Sequence, residues 1–296
     1  MPQGFDKPDQ NANTYRDVPL RDQILTTAAA LLLLFAYPAN AETTKAVETS
    51  SFSYADIADA TSLAPIVAIA TIDKAKHLKG DLVVGLPEGR ARFLVRAKVV
   101  ALLTGDTGLP ARIEYLLDTP LDAKGRPPKI AKRKVVLAGA PVSGKPASIQ
   151  LVSSRAQIDW SPEVEARVRA IVTEAIAPDA PPRIIGVGNA FHVRGSLPGE
   201  SETQIFLKTV GSQPVSLSVL RRPGEEPHWA AALGEMIDDA AKAPQRDTLL
   251  WYRLACFLPP ALPTASVANL DTDDAAAANA DYRFVIGALG TCDRTP

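Results

Sequence analysis

Apolar and polar positions alternate most cleanly from Arg92 to Leu103. Phe93, Val95, Ala97 and Val99 fall on one side, and Leu94, Arg96, Lys98 and Val100 on the other, so one face is apolar and the other carries both charges. A period of two marks a strand with one buried face. The alternation returns at Arg112 to Leu117, with Ile113, Tyr115 and Leu117 opposite Arg112 and Glu114. Lys134 to Ala138 and Ser148 to Val152 read as further short strands around a turn from Pro141 to Pro146. Upstream, Ser53-Tyr54-Ala55-Asp56 has the spacing of a capping box, with Asp in place of Glu, and predicts a short helix through Ser62. Leu63 to Ile72 reads as the first strand, and His77 to Gly89, with its charges, three glycines and Pro87, as a loop.

A period near 3.6 replaces the period of two after Ser161. Pro162 stands where a missing N–H costs nothing, and Val164, Val168, Ile171 and Val172 form the apolar stripe of a helix that stops before the cluster Pro178 to Pro182. Beyond it the pattern predicts a strand at Arg183 to Val187, a glycine-containing loop, and a hairpin of Thr203 to Val210 with Val215 to Arg222. His228 to Ile237 fits either a strand or a short helix. Asp247 is the expected cap of a helix from Thr248 to Leu258, and Asp271 to Asp274 opens a last helix that Gly290 stops. The chain therefore reads as α+β. A small β-barrel or sandwich (OB-like) domain with flanking helices covers residues 42–180, and a second α+β domain ending in two helices covers 181–296.

What precedes residue 42 reads differently. Ile24 to Tyr37 is an apolar run of 14 residues, too short to span a bilayer as a helix, and Ala39-Asn40-Ala41 has the small-x-small pattern of a signal-peptidase site. The expectation is a Sec-type signal peptide over residues 1–41, cleaved after Ala41, and a periplasmic or secreted protein beginning at Glu42. No integral membrane segment is expected after cleavage. Residues 1–23 carry three basic and four acidic side chains, unlike a usual positive leader. Of the 32 basic and 33 acidic residues in the whole chain, 29 of each sign then remain, a balance that gives no global reason to bind nucleic acid. The two cysteines, Cys256 and Cys292, are expected to pair in an oxidising compartment.

The order of elements from Ala64-Pro65-Ile66-Val67 through the strands to Gln157-Ile158-Asp159-Trp160-Ser161 resembles the OB-type barrel of the netrin and tissue-inhibitor-of-metalloproteinase group over residues 54 to 176. Those inhibitors chelate a target zinc through an N-terminal cysteine. Here the expected terminus is Glu42 and this half holds no cysteine, so that role does not carry over. As a whole the chain also resembles uncharacterised exported proteins of α-proteobacteria, a likeness that implies export and no chemistry.

Candidate chemistry is sparse. Gly139 to Lys145 follows the phosphate-loop pattern, but Pro146 occupies the place of its metal-binding Ser or Thr, which leaves a hairpin turn. His77, His192 and His228 lie far apart without metal-ligand spacing, so neither a metal nor a cofactor is implied. His192, in a predicted loop with Glu200 and Glu202, and with His228 as a further partner, is the candidate for general acid–base work; the alternative reading is a solvated or structural histidine. Lys124, Arg126, Lys129, Lys132, Arg133 and Lys134 place six positive charges within eleven residues, able to dock phosphate or sulfate groups of an envelope polymer or lipid. The expected function is thus a non-enzymatic exported binding or structural protein whose partner is an envelope protein or an anionic polymer. The alternative is a hydrolase built on the loop around His192.

Overall fold

A strand that is apolar on both faces must be covered on both faces. Within β1 (Ile66–His77), Ile66, Ala68, Ala70 and Ile72 enter one apolar cluster while Val67 and Ile69 enter another, and all are buried. The computed structural model describes residues 52–62, 64–105, 108–234 and 241–295, so the signal-peptide reading and the cleavage before Glu42 lie outside the described residues. β2 (Arg90–Thr104) lies antiparallel to β1, from Val67↔Thr104 to His77↔Phe93. The pairing carries β1 through His77, beyond the expected end at Ile72, because the alternation of Phe93 and Val95 gives it an apolar neighbour to that point. β3 (Arg112–Pro120) runs antiparallel to β2, with Arg90 opposite Pro120 and Lys98 opposite Arg112.

β4 (Lys134–Val142) takes the other edge of β1, from Ile66↔Gly139 to Thr71↔Lys134. β5 (Lys145–Leu151) turns back from β4 and bridges in parallel to β3 at Glu114↔Ser148, which closes the barrel β1-β2-β3-β5-β4-β1. The result is the five-stranded Greek-key closure of an OB-type barrel. Of the two expected forms, barrel or sandwich, the barrel is observed. Its interior holds Phe93, Val95, Ile113, Leu117, Leu137 and Ile149 among others. Gly139 is required where the hairpin strands meet, since a Cβ there would lie 2.4 Å from the Ile149 side chain and 2.7 Å from the Gln150 carbonyl. The phosphate-loop-like stretch is a hairpin turn, with Gly144 in the left-handed region at φ 73°. A short strand, β6 (Gln157–Asp159), adds to β4, and the Tyr115 hydroxyl donates to Gln157 at 2.6 Å.

The second sheet has the order β10-β9-β8-β7, all antiparallel. Its strands are β7 (Ile184–Arg194), β8 (Ser201–Thr209), β9 (Val215–Arg221) and β10 (His228–Ala232). The segment expected as strand or helix after His228 is a strand to Ala232; residues 235–240 lie outside the described residues. Among the described residues four α-helices fill the remaining space: α1 (Tyr54–Thr61), α2 (Pro162–Ile176), α3 (Leu249–Ala255) and α4 (Thr272–Leu289). One cluster runs through α1 (Ile57), the helix-facing side of β1 (Val67, Ile69), α2 (Val168, Ile171), the second sheet (Ile205, Leu217) and α3 and α4 (Trp251, Tyr282). The proline-rich segment around Ala180 lies where α2 gives way to β7.

Capping is realised much as the residues dictate. The Asp56 amide donates to Ser53 Oγ at 3.1 Å and the Ser53 amide to Asp56 Oδ2 at 3.0 Å, which completes the capping box of α1. Asp271 caps α4, and Ser161 caps α2 with Pro162 at its first position. The cap of α3 is Thr248 rather than the expected Asp247: its hydroxyl accepts from the Trp251 amide at 3.3 Å, while Asp247 takes φ 60° in the turn before it.

The C-terminal tail is fastened to α1. Thr295 donates its amide to Asp56 Oδ1 at 3.2 Å and its hydroxyl to Asp56 Oδ2 at 2.9 Å, and Arg155 approaches the same carboxylate at 3.1 Å. Burial pushes the Asp56 carboxyl up, but bonds from Ser53 and Thr295 together with the Arg155 charge outweigh it, so the group is held below the usual carboxylate range. Arg294 grips Asp59 at 2.6 and 3.0 Å, and the Tyr252 hydroxyl donates to Asp59 at 2.6 Å. Cys256, at the end of α3, is bonded to Cys292 in the tail, Cα to Cα 4.9 Å. With the cysteines 36 positions apart in sequence, the chain-entropy argument gives roughly 3–4 kcal/mol. Replacing both cysteines by serine, or adding reductant, is expected to lower the melting temperature by roughly 10 °C while the far-ultraviolet dichroism at 25 °C stays the same. Scanning calorimetry with and without reductant measures the shift.

Candidate anion-binding pole of the barrel

β1 and β3 both run antiparallel to β2, so β1 and β3 end where β2 and β4 begin. The loop 78–89 after β1 and the loop 121–133 after β3 therefore share one pole of the barrel. The Leu121 amide donates to the Gly89 carbonyl at 2.8 Å, joining the two loops. The Lys132 amide donates to Ile72 O at 2.7 Å and the Ile72 amide to Arg133 O at 2.9 Å, which seats the second loop against β1.

The basic loop is built by its own polar groups. Asp122 accepts from the amides of Lys124 and Arg126, both at 2.8 Å, and from the Arg126 guanidinium at 3.1 and 3.0 Å. The Arg126 amide foremost holds the Asp122 carboxyl below its ordinary range. Ile130 is buried at the barrel end, and Lys132 adopts φ 67°, a left-handed conformation that disfavours side chains with a Cβ. Three of the six cations thus have local work. Arg126 holds Asp122, Arg133 pairs with Asp159 at 3.1 Å, and the Lys134 ammonium sits 3.3 Å from the centre of the Trp160 ring. Lys124, Lys129 and Lys132 are exposed, with no side-chain partner among the described residues.

Barrel closure extends this charge onto the strands. The register aligns Lys134, Thr71, Lys98 and Arg112 in one row across four strands, and Lys74, Arg96 and Glu114 in the next. Lys74, Lys98 and Arg96 face outward and are exposed. The acids among them pair loosely, Arg96 with Glu114 at 3.6 Å and Arg112 with Asp73 at 4.0 Å, distances at which exposed pairs contribute little. The alternation of Arg96 and Lys98 is visible in the sequence; their adjacency to the basic loop depends on pairing between β1 and β4 some sixty positions apart and has no local signal. A cleft of about 540 Å³ opens at this pole, lined by Phe52, Arg90, Pro128, Ile130, Arg133 and Arg155. A groove of about 620 Å³ between β3 and β5 carries Leu94, Leu116 and Leu151.

The acid–base candidates are not brought together. His192 lies on β7 rather than in a loop, because the hairpin of β7 and β8 continues past the register shifts at Gly186 and Ala190 and sets His192 opposite Thr203. Side chains alternate across a sheet. His192 and Thr203 therefore share the face that α4 covers, while Glu202 is on the opposite face in a row with Leu220 and His228. Glu200 closes the tight turn between the strands, accepting from the Leu197 amide at 3.3 Å.

His192 instead belongs to a buried tie between sheet and helix. The Thr203 hydroxyl donates to Asp281 on α4, so its lone pair accepts from His192 Nδ1–H at 2.8 Å. Arg221 holds the other Asp281 oxygen, through Nε at 2.7 Å and Nη2 at 2.6 Å. Thr203 and Asp281 are buried, so neither can meet a substrate. Among the described residues no group of three His, Cys, Asp or Glu side chains gathers as a metal would need. No protein-family model and no curated protein matches the chain. Arg221→Leu leaves the Asp281 carboxylate buried without its cation and is expected to cost on the order of 3 kcal/mol, whereas Arg194→Ala, which removes an exposed pairing with Asp274 at 2.8 Å, is expected to cost under about 1 kcal/mol. Urea unfolding of the two variants measures both.

Proposed function

We propose that this is an exported, non-enzymatic binding protein, periplasmic or secreted, that holds an envelope component bearing phosphate or sulfate groups at the cationic pole of its barrel. The observation that carries the reading is the ordered loop 121–133, whose own hydrogen bonds fix its backbone and leave Lys124, Lys129 and Lys132 exposed and without a side-chain partner among the described residues. A preorganised cluster of cations pays little to order itself on binding an anion. Lys74, Lys98 and Arg96 extend the surface so that a polymer with several charges can engage it at more than one point. Export is supported by the apolar run Ile24 to Tyr37 with Ala39-Asn40-Ala41, placing the mature terminus at Glu42, and by the cystine, a bond that persists in oxidising compartments.

Retention on immobilised heparin, used as a model anionic polymer, tests the reading. The substitutions are Lys124→Gln, Lys129→Gln and Lys132→Gln together, which leave the ion pairs of Arg126 and Arg133 and the Trp160 contact intact. Wild-type retention is expected to fall steeply as salt shortens the screening length to about 8 Å and below, and the triple variant to bind at least tenfold more weakly, roughly the effect of a few surface cations. Equal retention of wild type and variant at every salt concentration contradicts the proposal.

A further inference from the structure

The loop 78–89 presents apolar side chains beside those cations. Val84 is 78% exposed and Leu82 is 61% exposed, at the tip of a loop rather than on a face that packs against anything. The tip is a formed structure: Gly80–Val83 makes a single 3-10 turn, the Leu86 amide donates to Val83 O at 3.0 Å, and glycines 80, 85 and 89 take φ of 62°, 78° and 73°. These turns hold Leu82 and Val84 out while the backbone bond from Leu121 to Gly89 ties their loop to the basic one. Lys74 and Lys76 lie at the end of β1 and Lys79 in the loop itself, and the other loop carries Lys124, Lys129 and Lys132, all exposed; Asp73, Asp81, Glu88, Asp118 and Asp122 are acids of the same region, Asp118 paired with Arg92 and Asp122 with Arg126.

A single exposed aliphatic residue needs no explanation. Two at one ordered tip, on a pole whose two loops also carry exposed lysines, form the arrangement by which a peripheral protein meets a bilayer, with apolar groups entering the acyl boundary and cations on the headgroups. A soluble polyanion would use the lysines and leave Leu82 and Val84 without a partner. We infer that this pole docks on a lipid surface rich in anionic headgroups, with Leu82 and Val84 entering the acyl boundary and the lysines of both loops contacting lipid phosphates. The inference rests on the reading that the pole binds anionic groups, and names the surface that presents them. Position supports it further: Val67 and Ile69, on the other flank of β1, share their apolar cluster with the second sheet and the helices, whereas Leu82, Val84 and the lysines of both loops stay exposed.

Co-sedimentation of the purified protein with vesicles distinguishes the two levels. One set contains phosphatidylglycerol with phosphatidylcholine, the other phosphatidylcholine alone. Wild type is expected to sediment with the first set only. The double variant Leu82→Ser and Val84→Ser is expected to bind the anionic vesicles at least about tenfold more weakly, as loss of two buried aliphatic groups would give, while keeping wild-type retention on heparin. The triple lysine variant is expected to lose both. Anionic-vesicle binding that is absent in wild type, or unchanged by the Leu82 and Val84 substitutions, overturns lipid docking; if heparin retention still depends on the lysines, the pole remains a polyanion site. Loss of lysine dependence in both assays overturns the anion-binding reading itself.

Discussion

β1 pairs along both of its edges, and most of the architecture follows from that constraint. Its register with β2 on one side and β4 on the other turns an open sheet into a closed barrel, and closure removes edges that would otherwise be exposed. Three register shifts against β2, at Val67/Ala68, Ile69/Ala70 and Ile72/Lys74, supply the bends that closure needs. The strand also changes character along its length. Up to Ile72 it is buried on both faces, and from Asp73 its outward side chains are charged and exposed. The barrel therefore has two exteriors, an apolar flank that helices must cover and a cationic pole that faces water.

The apolar flank recruits the rest of the chain. α1 is short and almost wholly buried, so its stability comes from packing against α2 and α3 rather than from intrinsic helix propensity. Its two carboxylates, Asp56 and Asp59, receive the tail at Thr295 and Arg294, and the bond between Cys256 and Cys292 holds that tail within reach. On the second sheet the Asp281 tie does the same for α4. Polar groups at both places are satisfied by residues far apart in sequence, an arrangement that fixes structure. A buried exception is Arg253, whose Nε lacks an acceptor and whose charge burial disfavours.

Strictly periodic stretches are legible in the sequence. The alternation of β2 and β3, the capping residues Ser53, Ser161 and Asp271, the Gly290 stop and the cysteine pairing all follow from local chemistry, and the structure has each of them. Less was legible where local and long-range demands differ. His192 reads as part of a loop because Gly186, Gly188 and Asn189 interrupt the period of two, yet β8 supplies a partner strand that pulls it straight. Asp247 and Thr248 are both good caps, and only the chain direction before α3 selects the second. The basic loop was legible as a charge cluster, but composition could not separate Arg126, Arg133 and Lys134, which have structural partners, from Lys124, Lys129 and Lys132, which have none among the described residues. The apolar tip at Leu82 and Val84 carries no periodic signal at all, and gains meaning only from the loop that barrel closure places beside it.

The proposed anion binding is assigned to the pole where the loops after β1 and β3 meet. Hydrogen–deuterium exchange of the full chain, with and without vesicles containing phosphatidylglycerol, addresses that claim directly. Protection is expected in residues 78–89 and 121–133, with peptides covering 192–202 unchanged. Protection confined to the second sheet, or exchange in both loops that vesicles leave unaltered, would contradict it.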